Sequence, residues 1–114
     1  MKIGGNIDAV IEIHTMKQNE IGEDVKAWVP VLSFSGWLDL AGGDSKYMNF
    51  NTKIQESTHI FICDYFPLVY GNIGITPENS RMIVDNKLYE VNLYDNPLHM
   101  NEQLEIYLNY TGGQ

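Results

Sequence analysis

The stretch from Ser80 to Tyr94, SRMIVDNKLYEVNLY, leaves this chain few ways to fold. Two short apolar runs, Met82 to Val84 and Leu88 to Leu93, flank Asp85-Asn86-Lys87, and Asp and Asn tolerate the left-handed backbone that a tight hairpin turn requires. The stretch therefore reads as a β-hairpin. Its second strand sets Tyr89, Val91 and Leu93 on one face against Glu90 and Asn92 on the other, the period of a sheet with one dry and one wet face.

The remaining segments supply partners for that hairpin. DAVIEIHTM, Asp8 to Met16, alternates Ala9, Ile11 and Ile13 with Glu12 and His14 and reads as the first strand. Asn19 to Asp24 makes a turn around Gly22, and Val25 to Leu38 returns as a long strand. Pro30 cannot donate to a ladder, so it demands an edge or a bulge, and a bulge would bend a long strand around a small barrel. Trp28, Leu32, Phe34 and Leu38 share a parity in this strand, which assigns Trp28 to the core and leaves Trp37 on the other face. THIFICDY, Thr58 to Tyr65, is nearly continuous in apolar residues, as strands covered on both faces are. The last strand, QLEIYLNY, directs Leu104, Ile106 and Leu108 inward. The expected fold is all-β: a single domain over residues 1–114, a small six-stranded antiparallel β-barrel or closed sandwich with two long loops. Residues 1–7, rich in glycine, and 111–114 are expected to be flexible ends.

The two long connections differ in character. Asp39 to Asn51, DLAGGDSKYMNFN, is polar and Gly-rich, and loops of that length in compact domains tend to carry function. Phe66 to Asn79, FPLVYGNIGITPEN, is apolar and is kept irregular by two prolines and two glycines. Its Leu68, Val69, Tyr70, Ile73 and Ile75 are costly to leave in water, so the segment should pack on its own barrel or on a neighbouring subunit. Asp95 to Asn101 should turn around Pro97.

At 114 residues the chain can bury one modest core. Seven basic against fifteen acidic residues give a formal charge of −8, and the basic residues are scattered singly. Tight binding of a phosphate backbone needs clustered cations, so tight DNA or RNA binding is not expected. The single cysteine, Cys63, excludes an internal disulfide and multi-cysteine zinc patterns. No apolar run of about 18 residues and no signal-like start occurs, which suggests a protein made and kept in the cytosol, away from the membrane. His59 lies four residues from Cys63 along one strand, roughly 13 Å away and beyond hydrogen-bond reach, so the pair is not a nucleophile and base. His14, His59 and His99 lack metal-ligand spacing, and Asp39 with Asp44 does not make a calcium loop. No phosphate-binding glycine loop or nucleophile elbow occurs. Neither an enzyme nor a cofactor is expected.

The order of features resembles the head-tail joining (head completion, or head-closure connector) proteins of tailed bacteriophages and prophages. The resemblance spans about residues 8–110. It rests on the strand-turn-strand with Trp28, the Gly42-Gly43 loop, the strand STHIFICDY, the hairpin pattern I-x-x-x-x-L-Y-E-V at Ile83 to Val91, and the final L-E-I-Y-L strand. What it implies is a structural virion subunit, made in the bacterial host cytoplasm, that forms a homo-oligomeric ring below the portal. Such a ring extends the DNA channel and joins the tail, with portal or adaptor proteins and tail-completion proteins as partners. DNA passes through it without sequence-specific binding. Carried onto this chain, the channel loop includes Asp39, Gly42, Gly43, Asp44 and Lys46, and the subunit interface Trp37, Leu68, Val69, Tyr70, Ile73 and Ile75. The alternative is a small β-barrel that binds a ligand in an apolar pocket, or a protein-interaction module that uses a sheet edge.

Overall fold

The structure, a computed structural model, describes residues 3–40 and 57–110, with only the backbone of Met16 and Lys17. Its described residues form β1 (Ile7–Gln18), β2 (Asp24–Leu40), β3 (His59–Asp64), β4 (Val69–Tyr70), β5 (Ile73–Gly74), β6 (Ser80–Val84), β7 (Lys87–Asp95) and β8 (Gln103–Tyr110), with a 3-10 turn at Pro97–His99. Six strands close an antiparallel barrel in the order β1-β2-β3-β8-β7-β6, and β4 and β5 form a separate two-stranded ribbon. The expected all-β, six-stranded barrel is the observed fold.

The Ser80 to Tyr94 hairpin forms β6 and β7. Its turn is shorter than the sequence suggested: Asp85 and Asn86 alone take positive φ, 52° and 66°, and Lys87 already belongs to β7. Two consecutive left-handed residues match the twist of the flanking strands, which is why Asp-Asn closes this hairpin.

Inward positions of β1, β3, β6 and β8 fill the barrel. Ile11, Phe61, Met82, Val84, Leu104, Ile106 and Leu108 are fully buried, with Phe34 edge-on against Phe61 at 5.6 Å between ring centroids. Among the described residues these side chains occupy the barrel interior. Gly36 faces inward on β2 where the Phe61 ring passes over it; a Cβ there would meet the Ile62 carbonyl oxygen at 2.5 Å and the ring at 2.6 Å.

Two bulges reverse side-chain parity and correct two expectations. Between Ile11 and Glu12 the β1–β2 register shifts, so that Ile11 faces Leu32 but Glu12 faces Pro30 and His14 faces Trp28. Pro30 thus sits at a bulge and on a strand edge as well. One extra residue swaps every following side chain to the other face. Trp28 is therefore not a core residue: it shares the outer face with His14, while Leu32 and Phe34 remain inward. The second shift, between Val91 and Leu93, is centred on Asn92. It moves Leu93 outward, opposite Tyr107, and brings Tyr94 in against the core, opposite Ile106. The bulged Asn92 amide donates to Ser57 Oγ at 3.0 Å, tying the approach to β3 against β7.

Ile3 and Gly4 are tied to the barrel. The Ile3 and Gly4 N–H groups donate to the Asp64 carboxylate, and Trp37 Nε1 donates to the Ile3 carbonyl at 3.3 Å. Gly5, at φ +137°, lies so close to Gly36 that a Cβ on it would collide with that backbone. Ile3 to Gly5 strap the outside of the β2–β3 seam, and only glycine allows the approach.

Candidate interaction surfaces

The apolar connection between β3 and β6 divides into a pinned part and a presented part. Phe66 stacks on Phe34 at 4.8 Å, Leu68 packs half-buried on the core, and Ile75 is 5% exposed within it. The Ile75 N–H donates to the Leu68 carbonyl, closing a small loop at that point. Beyond it, Asn79 accepts from the Thr76 N–H and donates through its amide to the Gly74 carbonyl, and its own carbonyl accepts from the His14 N–H. Ser80 Oγ lies 2.7 Å from the Tyr94 hydroxyl, whose burial pushes its pKa up to about 12. With both ends fixed, the β4–β5 ribbon holds Val69, Tyr70 and Ile73 out at 52%, 48% and 43% exposure.

Of the expected interface residues, then, Val69, Tyr70 and Ile73 are brought together on one exposed ribbon. Ile75 is set apart from them, its side chain packed in the barrel core. Leu68 serves mainly as the ribbon's anchor. Trp37 is 47% exposed on β2, its Nε1 bonded to the N-terminal strap. In the expected channel loop, Asp39 is exposed near the end of β2, its carboxylate accepting from the Leu40 N–H. Gly42, Gly43, Asp44 and Lys46 lie outside the described residues.

Two features went unforeseen in the sequence. One is the backbone of the turn expected at Asp95 to Asn101: the turn is present, but Leu98, His99 and Asn101 in it take φ of 56°, 54° and 58°. Left-handed backbone at non-glycine residues carries a cost of order 1 kcal/mol each; here reciprocal bonds between Asn96 and Asn101 hold it, and Leu98 stands 85% exposed. The asparagines were a readable turn signal, but nothing marked Leu98 as an outward residue. The other is a groove of about 430 Å³ on the outer wall, lined by His14, Lys26, Trp28, Arg81, Leu88 and Glu90 among others. Arg81 lies over the Trp28 ring, 4.3 Å from its centroid, and its Nε donates to Glu12 Oε1 at 2.7 Å. Neighbouring strands place Glu12, Arg81 and Glu90 in one row. Trp28 and Glu12 already engage the guanidinium, so the groove is a braced polar wall rather than an acid-base pair.

Elsewhere the chemistry is quiet. Burial, with the neighbouring Asp64 charge, pushes the Cys63 thiol up to about 12, where a thiolate nucleophile is not available at neutral pH. His59 packs edge-on against Tyr89 at 5.2 Å, not against Cys63. Among the described residues no group of three His, Cys, Asp or Glu side chains could hold a metal ion. No family model matches this chain, and no curated protein matches its sequence.

Proposed function

We propose that this chain is a structural subunit of a phage or prophage head-tail connector, joining others in a ring below the portal and carrying out no reaction. The observation that carries the reading is the β4–β5 ribbon: a barrel filled by its own side chains presents Val69, Tyr70 and Ile73 to solvent on a short ribbon pinned at both ends. Apolar side chains presented together at a fixed place mark a protein contact. A ring needs two different complementary patches on each subunit. The ribbon supplies one, and the segment around Asp39 to Asn51 is the channel side in this reading. The formal charge of −8 supports it further, because each cation contact to a passing phosphate would add to the binding that stalls DNA.

The test is negative-stain microscopy of the protein mixed with DNA-filled, tailless heads. Added density at the portal vertex is expected with the wild-type chain and should be lost with Tyr70→Glu combined with Ile73→Asp. Wild-type protein that leaves the vertex bare would overturn the reading. The second reading, a protein-interaction module of another system, draws on the same ribbon and predicts a cellular partner whose binding the same double substitution abolishes.

A further inference from the structure

We infer that the free chain forms a two-fold dimer by pairing the open edge of β2 with the same edge of a second copy, centred on Val25. The inference is independent of the connector reading and uses a different surface from the β4–β5 ribbon.

β2 pairs with β1 from Asp24 to Gly36, and with β3 only at Trp37 to Leu40. From Asp24 to Ser35 its other edge has no strand beside it among the described residues. The direction of the backbone groups on this edge follows from two bonds. The Asn19 N–H donates to the Glu23 carbonyl, so Glu23 faces β1. The His14 N–H donates to Asn79, away from β2, so His14 and its opposite residue Trp28 form a pair without mutual backbone bonds. Alternation between these two fixed points turns the N–H and C=O of Asp24, Lys26 and Trp28 outward.

Antiparallel pairing of two such edges about Val25 sets Asp24 opposite Lys26 of the second copy, and Lys26 opposite its Asp24. Both residues carry outward backbone groups, so each pair exchanges two bonds, four in all. Their side chains share the outer face, and opposite charges directly across an antiparallel pair attract. On the other face Val25, 39% exposed, meets itself in the close-spaced pair without backbone bonds. A lysine on an edge ordinarily deters pairing; in this register its charge is met, and in a register shifted by one residue it is not. Pro30 and its bulge confine the pairing to the outgrown end of β2, because the proline has no N–H to give.

The contact is short, so the dimer is weak and visible only at high protein concentration. Sedimentation velocity across a concentration series reads it directly. Wild-type chain should shift from monomer to dimer. Lys26→Asp or Asp24→Lys, each placing like charges opposite, should weaken association about tenfold. The double variant with both substitutions restores opposite charges in swapped positions and should recover association. Lys26→Pro removes an outward N–H without touching a β1–β2 bond and should also weaken it. Both positions changed, 24 and 26, carry exposed side chains, so circular dichroism should be unaltered. A wild-type chain that stays monomeric, or a dimer indifferent to single charge reversal, overturns the inference and leaves the edge to a strand of another protein.

Discussion

The two halves of β1 differ in surroundings and in sequence: Ala9, Ile11 and Ile13 set an apolar face that the same parity continues with Thr15 and Lys17. From Ala9 to Ile13 the strand has β2 on one side and β6 on the other, and Ala9, Ile11 and Ile13 are buried. Beyond Ile13 the β6 ladder ends: the His14 N–H still reaches the Asn79 carbonyl, but among the described residues β2 is the only strand left beside it, and the Asn19 to Glu23 turn at the far end is exposed throughout. An apolar side chain is buried when a second neighbour and an opposing wall cover it; alternation only decides which face it offers. The closed barrel supplies the cover, and the ribbon of β1 and β2 that outgrows it does not.

Unequal mutational costs should expose that difference. Phe61→Ala, inside the closed wall, empties the position over Gly36 and should lower the free energy of unfolding by about 3–5 kcal/mol, measured by urea denaturation. Gly36→Ala at the same contact adds a methyl where the Ile62 carbonyl and the Phe61 ring already sit. It should cost about 1–3 kcal/mol as overpacking, and Gly36→Ala in the Phe61→Ala background should cost less than in the wild type, since the ring is gone but the carbonyl remains. Additive losses would show that the two positions do not touch in solution.

Trp28 is the sharper probe, because its residue type suggests core and its place does not. Trp28→Ala removes the edge contact with His14 at 5.2 Å and the face under Arg81. The expected loss is about 1–2 kcal/mol, that of an aromatic pair plus an exposed cation–π contact rather than of a buried tryptophan. A cost near that of Phe61→Ala would place Trp28 in the core after all.

The same distinction explains what was legible beforehand. β8 was read residue by residue, because Leu104, Ile106 and Leu108 alternate without interruption and have neighbours on both sides. Asp85-Asn86 and Gly22 announced their turns through backbone chemistry alone. Parity failed at Trp28 and Leu93, each beyond a bulge. Pro30 warned of the first, but its effect on which face followed was not carried through; Asn92 gave no comparable warning. The ribbon's exposed side chains were named in advance, yet Ile75 was grouped with Val69, Tyr70 and Ile73 because hydrophobicity cannot tell an anchor from the part it anchors. The N-terminal strap was hidden for another reason: its bonds join Ile3 and Gly4 to Asp64, across the fold.

The smallest expected effect concerns His59, the first residue of β3 and so at one mouth of the closed wall. Its ring lies edge-on to Tyr89 and Tyr110, and Thr58 Oγ1 sits 2.8 Å from Nδ1. Desolvation, with the nearby Lys87 charge, lowers its pKa from 6.5. The unfolded chain then takes up the proton first as pH falls, so the group's contribution is complete above 6.5 and is lost as pH drops through that value toward the lowered one. Acid also titrates carboxylates in both states, so the comparison must be made against His59→Gln. Between pH 7.5 and pH 5 the urea midpoint of the wild type should fall slightly further than that of the variant. Parallel decline would mean that the ring is as well solvated as a histidine on the open ribbon, and that the barrel's mouth resembles its outgrown end more than its wall.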